Sequence, residues 1–343
     1  MFGSFNLSAG LHNLTIKVAD RRPFVDQAYN LIIDAFALTT EDPRYRFANG
    51  RCAEIAVELS QELGTFEPRL NFSEGGYSEV TSPDFWSPIV PMLKKIKVKY
   101  IRIDHVFDDS HYGIVRRDNA GKLTYNWLKL DRVIEQIVAA GAKPYFSMSY
   151  MPSVMATNGT YSPPKDYEQW QQLCAALALH MRENWNFADL YYEVWNEPDL
   201  KGFWKGTQEE YFQLYRYAAQ GIRSVDATAK IGGPATARSS WLDPFLSYVR
   251  TNNIPLDFVS WHNYKLGVYH YQIEYVQRIL GRLQFQTQPE MIISEWNFDA
   301  AQVSHNDSFY NAAHAAEIIS LYHAKGLVNP LFFGIKDGPG ARE

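Results

Sequence analysis

Two apolar runs in this chain each end in a carboxylate, and the distance between those carboxylates constrains the fold more than any other feature. Leu190-Tyr-Tyr-Glu-Val-Trp195 is apolar and aromatic and reads as a strand buried on both faces. It stops at Asn196-Glu197-Pro198, because proline has no donor for a sheet ladder. Met291-Ile-Ile-Ser294 leads in the same way into Glu295-Trp296-Asn297. The two glutamates are 295 − 197 = 98 residues apart. A (β/α)8 barrel takes roughly 250 residues for eight strand–helix units, or about 31 per unit. The separation is then about three units, which puts Glu197 at the end of a fourth strand and Glu295 at the end of a seventh. Both would face one mouth of the barrel, where glycoside hydrolysis needs a carboxylate pair.

The rest of the chain fills in the same alternation. Strands are expected at Arg69–Phe72, Val98–Phe107, Lys143–Ser149, Lys230–Pro234, Leu256–Tyr264 and Asn329–Ile335, besides the two already named. Helices are expected at Asp84–Lys95, Trp127–Ala140, Asp166–Trp185, Thr207–Val225, Trp241–Thr251, Tyr271–Leu283 and Phe309–Lys325. No helix is expected after the eighth strand, so the barrel reads as truncated at that end.

Composition removes several function classes. Net charge is −5 and no basic run exceeds two residues, so there is no electrostatic case for nucleic acid or an anionic membrane. No apolar run reaches about 18 residues, so no membrane span is expected. Cys52 and Cys174 both sit in helix-like apolar stretches and read as buried thiols. No Cys/His cluster has zinc spacing, and no metal or other cofactor is expected. Asp104-His105 and Asp108-Asp109 could suit a cation, but solvated loop acids or sugar-hydroxyl ligands are the preferred readings.

Trp195-Asn196-Glu197-Pro198 together with Ser294-Glu295-Trp296-Asn297 resembles the clan A glycoside hydrolases, which are retaining (β/α)8 enzymes. Within the clan the chain is most similar to family 39, which includes β-xylosidases, α-L-iduronidases and bacterial exopolysaccharide hydrolases. The resemblance runs from about Glu67 to Asp337. It implies Glu197 as acid/base and Glu295 as nucleophile. It implies Arg102, near the end of the second strand, as a hydrogen-bond partner of the nucleophile, and Asn196 as a ligand of the sugar 2-hydroxyl. His262 and Tyr264, at the end of the sixth strand, would line the site. His105 is expected among the substrate-binding residues, and Trp296 is read either as stacking on the sugar or as part of the core. The chain departs from the family at strand eight, where Gly334 or Ile335 stands in place of an aromatic residue.

Residues 1–40 do not read as barrel. Gly10–Val18 and Asn30–Leu38 resemble the last two strands of a carbohydrate-binding β-sandwich module, so the chain reads as starting inside that module. Residues 41–66 are expected to be a linker with a helix at Cys52–Leu63, and residues 67–343 the catalytic domain. The family and the module imply a carbohydrate partner and a secreted protein, although no signal peptide is visible. Two other readings stand beside the retaining glycosidase: a barrel that binds polysaccharide with weak catalysis, and a metal-dependent hydrolase.

Overall fold

The computed structural model describes residues 15–18, 53–56, 70–75, 80, 82, 84–265, 267–298 and 309–335. The chain divides into two units, residues 1–68 and 69–343. In the first unit, β1 (Thr15–Val18) pairs antiparallel with β2 (Ala53–Ala56), with Ile16 opposite Ile55. The helix expected at Cys52–Leu63 is therefore a strand over 53–56, where a ladder partner overrides weak local periodicity. The strand expected at Asn30–Leu38 lies outside the described residues, as does Cys52.

The second unit is a closed barrel of eight parallel strands. In order around it they are β3 (Asn71–Glu74), β4 (Tyr100–Ile103), β7 (Lys143–Met148), β8 (Tyr191–Val194), β9 (Lys230–Thr236), β10 (Phe258–Asn263), β11 (Glu290–Trp296) and β12 (Leu331–Phe333). A small antiparallel ribbon, β5 (Val115–Arg117) with β6 (Leu123–Tyr125), sits in the β4 loop. The helices between strands are α1 (Val90–Lys95), α2 (Leu128–Ala139), α3 (Tyr167–Trp185), α4 (Gln208–Val225), α5 (Leu242–Thr251), α6 (Tyr269–Leu283) and α7 (Phe309–Ala324). Local chemistry sets several of their ends. Asp166 caps α3 by accepting from the Glu168 and Gln169 amides. Thr207 and Glu210 form a reciprocal capping box on α4. The first helix is shorter than expected because residues 84–89 form turns, and Pro91 falls in its first turn.

Alternation along the strands makes two layers of core. Tyr100, Tyr145, Tyr191, Phe258, Ile292 and Leu331 point inward and form a small cluster made from strands alone. The Tyr145 and Tyr191 rings stack there with centroids 5.2 Å apart. Their neighbours Ile101, Phe146, Tyr192, Val259 and Ile293 face outward and join the helices in the large cluster. The inner plug floors the barrel, and the next inward residues along each strand stand above it, toward the mouth.

Two β-bulges decide which side chains reach that mouth. On β11, Ile293 pairs with Trp261 and Glu295 with His262, so Ser294 is an extra residue. Simple alternation from Ile293 would send Glu295 outward; the bulge turns it inward. On β9, Pro234 pairs with Ser260 and Thr236 with Trp261, leaving Ala235 extra with φ of 51°. The Ala235 carbonyl accepts from the Glu197 amide at 3.0 Å and ties the end of β8 to the end of β9.

Candidate active site

Arg102 is the centre of the site. It is fully buried on β4 and its guanidinium reaches four side chains. Nε donates to Glu193 at 2.7 Å, Nη1 to Glu295 at 2.8 Å and to Ser73 at 3.1 Å, and Nη2 to Asn196 at 2.8 Å. Burial alone would lower the Arg102 pKa, but Glu193 and Glu295 outweigh it and raise it well above the ordinary value. Glu193, fully buried, also accepts from Tyr145 Oη at 3.0 Å, so it stands directly on the aromatic floor.

Glu295 takes three contacts, one from β4 and two from the end of β10. Besides Arg102, Tyr264 Oη donates to its Oε2 at 2.7 Å and His262 Nδ1 lies 3.4 Å from the same oxygen. Burial pushes the Glu295 carboxyl up; His262 and Arg102 pull it down, Glu197 pushes it up again, and the Tyr264 hydrogen bond opposes. The net direction is upward. Glu197 Oε1 lies 2.9 Å from His262 Nδ1. One imidazole nitrogen thus faces a carboxylate oxygen of each glutamate, which requires a proton on Nδ1. Burial lowers the His262 pKa, but Glu295 and Glu197 more than reverse this and raise it. The ligand-type atoms of Glu197, His262 and Glu295 lie within 4.8 Å of one another. Glycosidases that retain configuration hold their carboxyls about 5–5.5 Å apart, and those that invert it about 6.5–9.5 Å.

The backbone at the mouth is strained. Trp195 (φ 73°), Glu197 (φ 45°) and His105 (φ 57°) all adopt the left-handed region that non-glycine residues rarely use. Each costs on the order of 1–3 kcal/mol. The turn at Trp195 sends its ring into the outer core and brings Asn196 to face Arg102. Asn196 Nδ2 also donates to Tyr150 Oη at 3.1 Å.

The structure thus brings Glu197, Glu295, Arg102, Asn196, His262 and Tyr264 together at the ends of β4, β8, β10 and β11. His105 sits on the wall next to them, its ring edge-on to Tyr150 at 4.7 Å. Trp296 is not in the site. It follows the inward Glu295, so it faces outward, 2% exposed, against Phe332 and Tyr322 at 5.0 and 5.5 Å. The expected substrate-binding role for Trp296 is corrected on that ground.

Several site residues carry no motif in the sequence. Glu193, Ser73, Tyr145 and Tyr150 act across strands, and their roles depend on register. Phe333, at the end of β12, packs edge-on to Tyr264 at 6.2 Å and places an aromatic ring one residue before Gly334. A Cβ at Gly334 would come 3.3 Å from Glu74 Oε2, which also accepts from the Ile335 amide at 3.2 Å. A side chain at 334 would therefore need the Glu74 carboxylate to shift by a few tenths of an ångström.

Among the described residues, two groups have donor sets suited to a cation. In His105, Asp108 and His111 the imidazoles stack with centroids 4.0 Å apart and planes 16° apart. The lone pairs of near-parallel rings lie in separate planes and do not converge on one ion at about 2.0–2.1 Å. Asp108 instead bonds His105 Nδ1 at 2.9 Å and Ser110 at 2.7 Å. Burial raises the Asp108 carboxyl, but these bonds bring it down to about 2. In the second group, the proton on His262 Nδ1 occupies the position a cation would take between Glu197 and Glu295.

The model of glycosyl hydrolases family 39 matches residues 53–320. The chain belongs to that family. Among its relatives, a β-xylosidase of Caldicellulosiruptor saccharolyticus is 37% identical over 225 residues, which are 62% of this chain and 46% of that protein. A β-xylosidase of Geobacillus stearothermophilus is 32% identical over 266 residues, 66% of this chain and 52% of that protein. The chain spans about half the length of these relatives. The structure of a family 39 β-xylosidase from Caulobacter crescentus superposes with a TM-score of 0.70 at 28% identity, covering 79% of this chain and 63% of that one. Seven of the eight barrel strands, all but β12, fall inside residues 53–320.

Proposed function

We propose that this chain is the catalytic barrel of a retaining O-glycoside hydrolase that cleaves plant or bacterial polysaccharide or oligosaccharide by double displacement. The approach of the Glu197 and Glu295 oxygens within 4.8 Å supports the reading, because it is nearer the spacing of retaining enzymes than that of inverting ones. β-Xylosides are the first substrates to test, from the names of the Caldicellulosiruptor and Geobacillus relatives.

In the first step a Glu295 oxygen attacks the anomeric carbon. The bond to the leaving oxygen breaks with its electron pair, and Glu197 gives that oxygen a proton. Arg102 and Tyr264 stabilise the charge on Glu295 until it is transferred. In the second step water attacks the glycosyl ester, Glu197 takes the water proton, and Glu295 leaves as carboxylate. His262 holds Glu197 through Oε1 and leaves Oε2 for the proton. No step draws on a cofactor.

The test separates role from presence. Glu197→Ala is expected to lose far more activity on a natural glycoside than on a 2,4-dinitrophenyl glycoside, which departs with little protonation. Azide, which needs no base, is expected to restore turnover on the activated substrate and to give a glycosyl azide. Equal losses on both substrates with no rescue would remove Glu197 from the acid/base role. We further propose that the protein acts outside the cytoplasm, since a polymeric substrate does not cross a membrane, and that residues 1–40 belong to a carbohydrate-binding module. Immunodetection in the medium of the native host tests the first. Loss of xylan retention on native gels after removal of those residues tests the second.

A further inference from the structure

We infer that the leaving-group side of the cleft binds an anionic sugar, one carrying a carboxylate or a sulfate. This rests on the assignment of Glu197 as acid/base. A pocket of about 460 Å³ is lined by Glu197 but not by Glu295, so it lies on the side where the leaving oxygen is protonated. That volume is in the range of small-molecule sites. Apart from Glu197 and His262, its charged lining residues are Arg238 and Lys265.

Both cations stand on fixed backbone with their side chains free. Asp199, two residues after Glu197, accepts from the Ala237 amide at 3.0 Å and the Arg238 amide at 2.7 Å. Its carboxylate thus holds the backbone of Arg238 and takes no guanidinium N–H. The Lys265 amide donates to Asn263 Oδ1 at 2.8 Å. Among the described residues neither the Arg238 guanidinium nor the Lys265 ammonium has a hydrogen bond or ion pair. The wall that carries them is built: Asn263 Nδ2 donates to Gln272 at 2.6 Å, and Gln272 Nε2 to Ser239 at 3.4 Å. The whole chain carries a net charge of −5, so two unpaired cations beside one carboxylate do not follow from a basic surface. An arginine and a lysine with unused donors suit carboxylate or sulfate oxygens. A neutral sugar would leave both exposed cations to water, with no anionic partner.

Calorimetry on the full chain tests this with glucuronate, glucose 6-sulfate and glucose. The anionic sugars are expected to bind about tenfold tighter than glucose at low salt, a difference of about 1.4 kcal/mol. Added salt is expected to narrow the gap. Arg238→Gln with Lys265→Gln is expected to bring the three ligands to parity, and Arg238→Lys alone to keep the preference. A preference for only one of the two anions supports the inference and names the group. Equal affinities in the wild-type chain, or a preference that survives in the double variant, overturn it. Hydrolysis of 4-nitrophenyl β-xyloside by the same preparation separates the two failures. Turnover without anion preference overturns only this inference, and no turnover on any glycoside overturns the glycosidase assignment.

Discussion

Glu193 and Glu295 both bond to Arg102, at 2.7 and 2.8 Å, yet their loss is expected to have opposite consequences. Glu193 is fully buried, and its remaining partner is Tyr145. Glu193→Gln leaves part of a buried guanidinium charge without compensation, so about 3 kcal/mol of stability should be lost. Glu295 is held ionised against the cost of burial and against Glu197, which is why its pKa is raised. Removing that charge relieves the folded state. Glu295→Gln should unfold at the same temperature or higher, while turnover falls by at least about 10³-fold. Thermal unfolding beside glycosidase assays checks both variants; activity of Glu295→Gln within tenfold of wild type would reject it as nucleophile. The sequence points to Glu295 and Glu197 because each closes an apolar run beside a distinctive neighbour. Glu193 lies within such a run and reads there as one polar residue in a strand. Only the register of β8 against β7 and the length of Arg102 give it a role. For Trp296 the sequence left a core role as open as stacking on the sugar, and the structure places it in the core.

At the scale of elements, close approach between strands is the feature most exposed to substitution. Gly232 on β9 pairs with Glu193 on one side and Phe258 on the other. A Cβ there would collide with the Phe258 carbonyl oxygen and ring. Gly232→Ala should therefore destabilise by about 1–3 kcal/mol. Gly281, inside α6, would meet nothing within 4 Å, and Gly281→Ala should stabilise by about 0.5–1 kcal/mol. Urea midpoints of the two variants should move in opposite directions, and a shared direction would contradict the packing argument. The helices were legible because their signals are local: Asp166 and Thr207 cap where the sequence places them. Strand ends were less so. The bulges at Ser294 and Ala235 leave no mark in hydropathy, and they decide which way the last residues of β11 and β9 point. The ribbon of β5 and β6 passes unnoticed for the same reason, since strands of three residues carry too little pattern.

For the whole molecule, buried histidines set the response to pH. Burial brings both His111 and His314 down to about 4, below the ordinary 6.5. Unfolding lets them take up protons between those values, so stability falls as pH drops from about 6.5 to about 4. His105 and His262 are raised instead, despite burial, by Asp104 and Glu295 respectively. Their contribution is complete below about 6.5 and is lost as pH rises through their folded values. Glu295 and Asp199, raised by burial, oppose the acid limb over part of its range. Asp108, brought down to about 2, adds a further loss as pH falls from about 3.8. Unfolding temperature should peak near pH 6.5 and decline on both sides, with the acid limb flattened in His314→Gln. A steady rise from pH 4 to 9 would contradict these assignments.

Arg102 also has a consequence for how the molecule is made. It lies 193 residues from Glu295 along the chain, and Glu74 meets Ile335 across 261. Such contacts close the longest loops in the fold and form slowly for that reason. A nascent chain that has emerged through β10 has Glu197, Arg102 and most of its secondary structure, but not Glu295. On the proposed mechanism, turnover begins only when the last strands close the seam against β3, and the activity of a sample would count finished barrels.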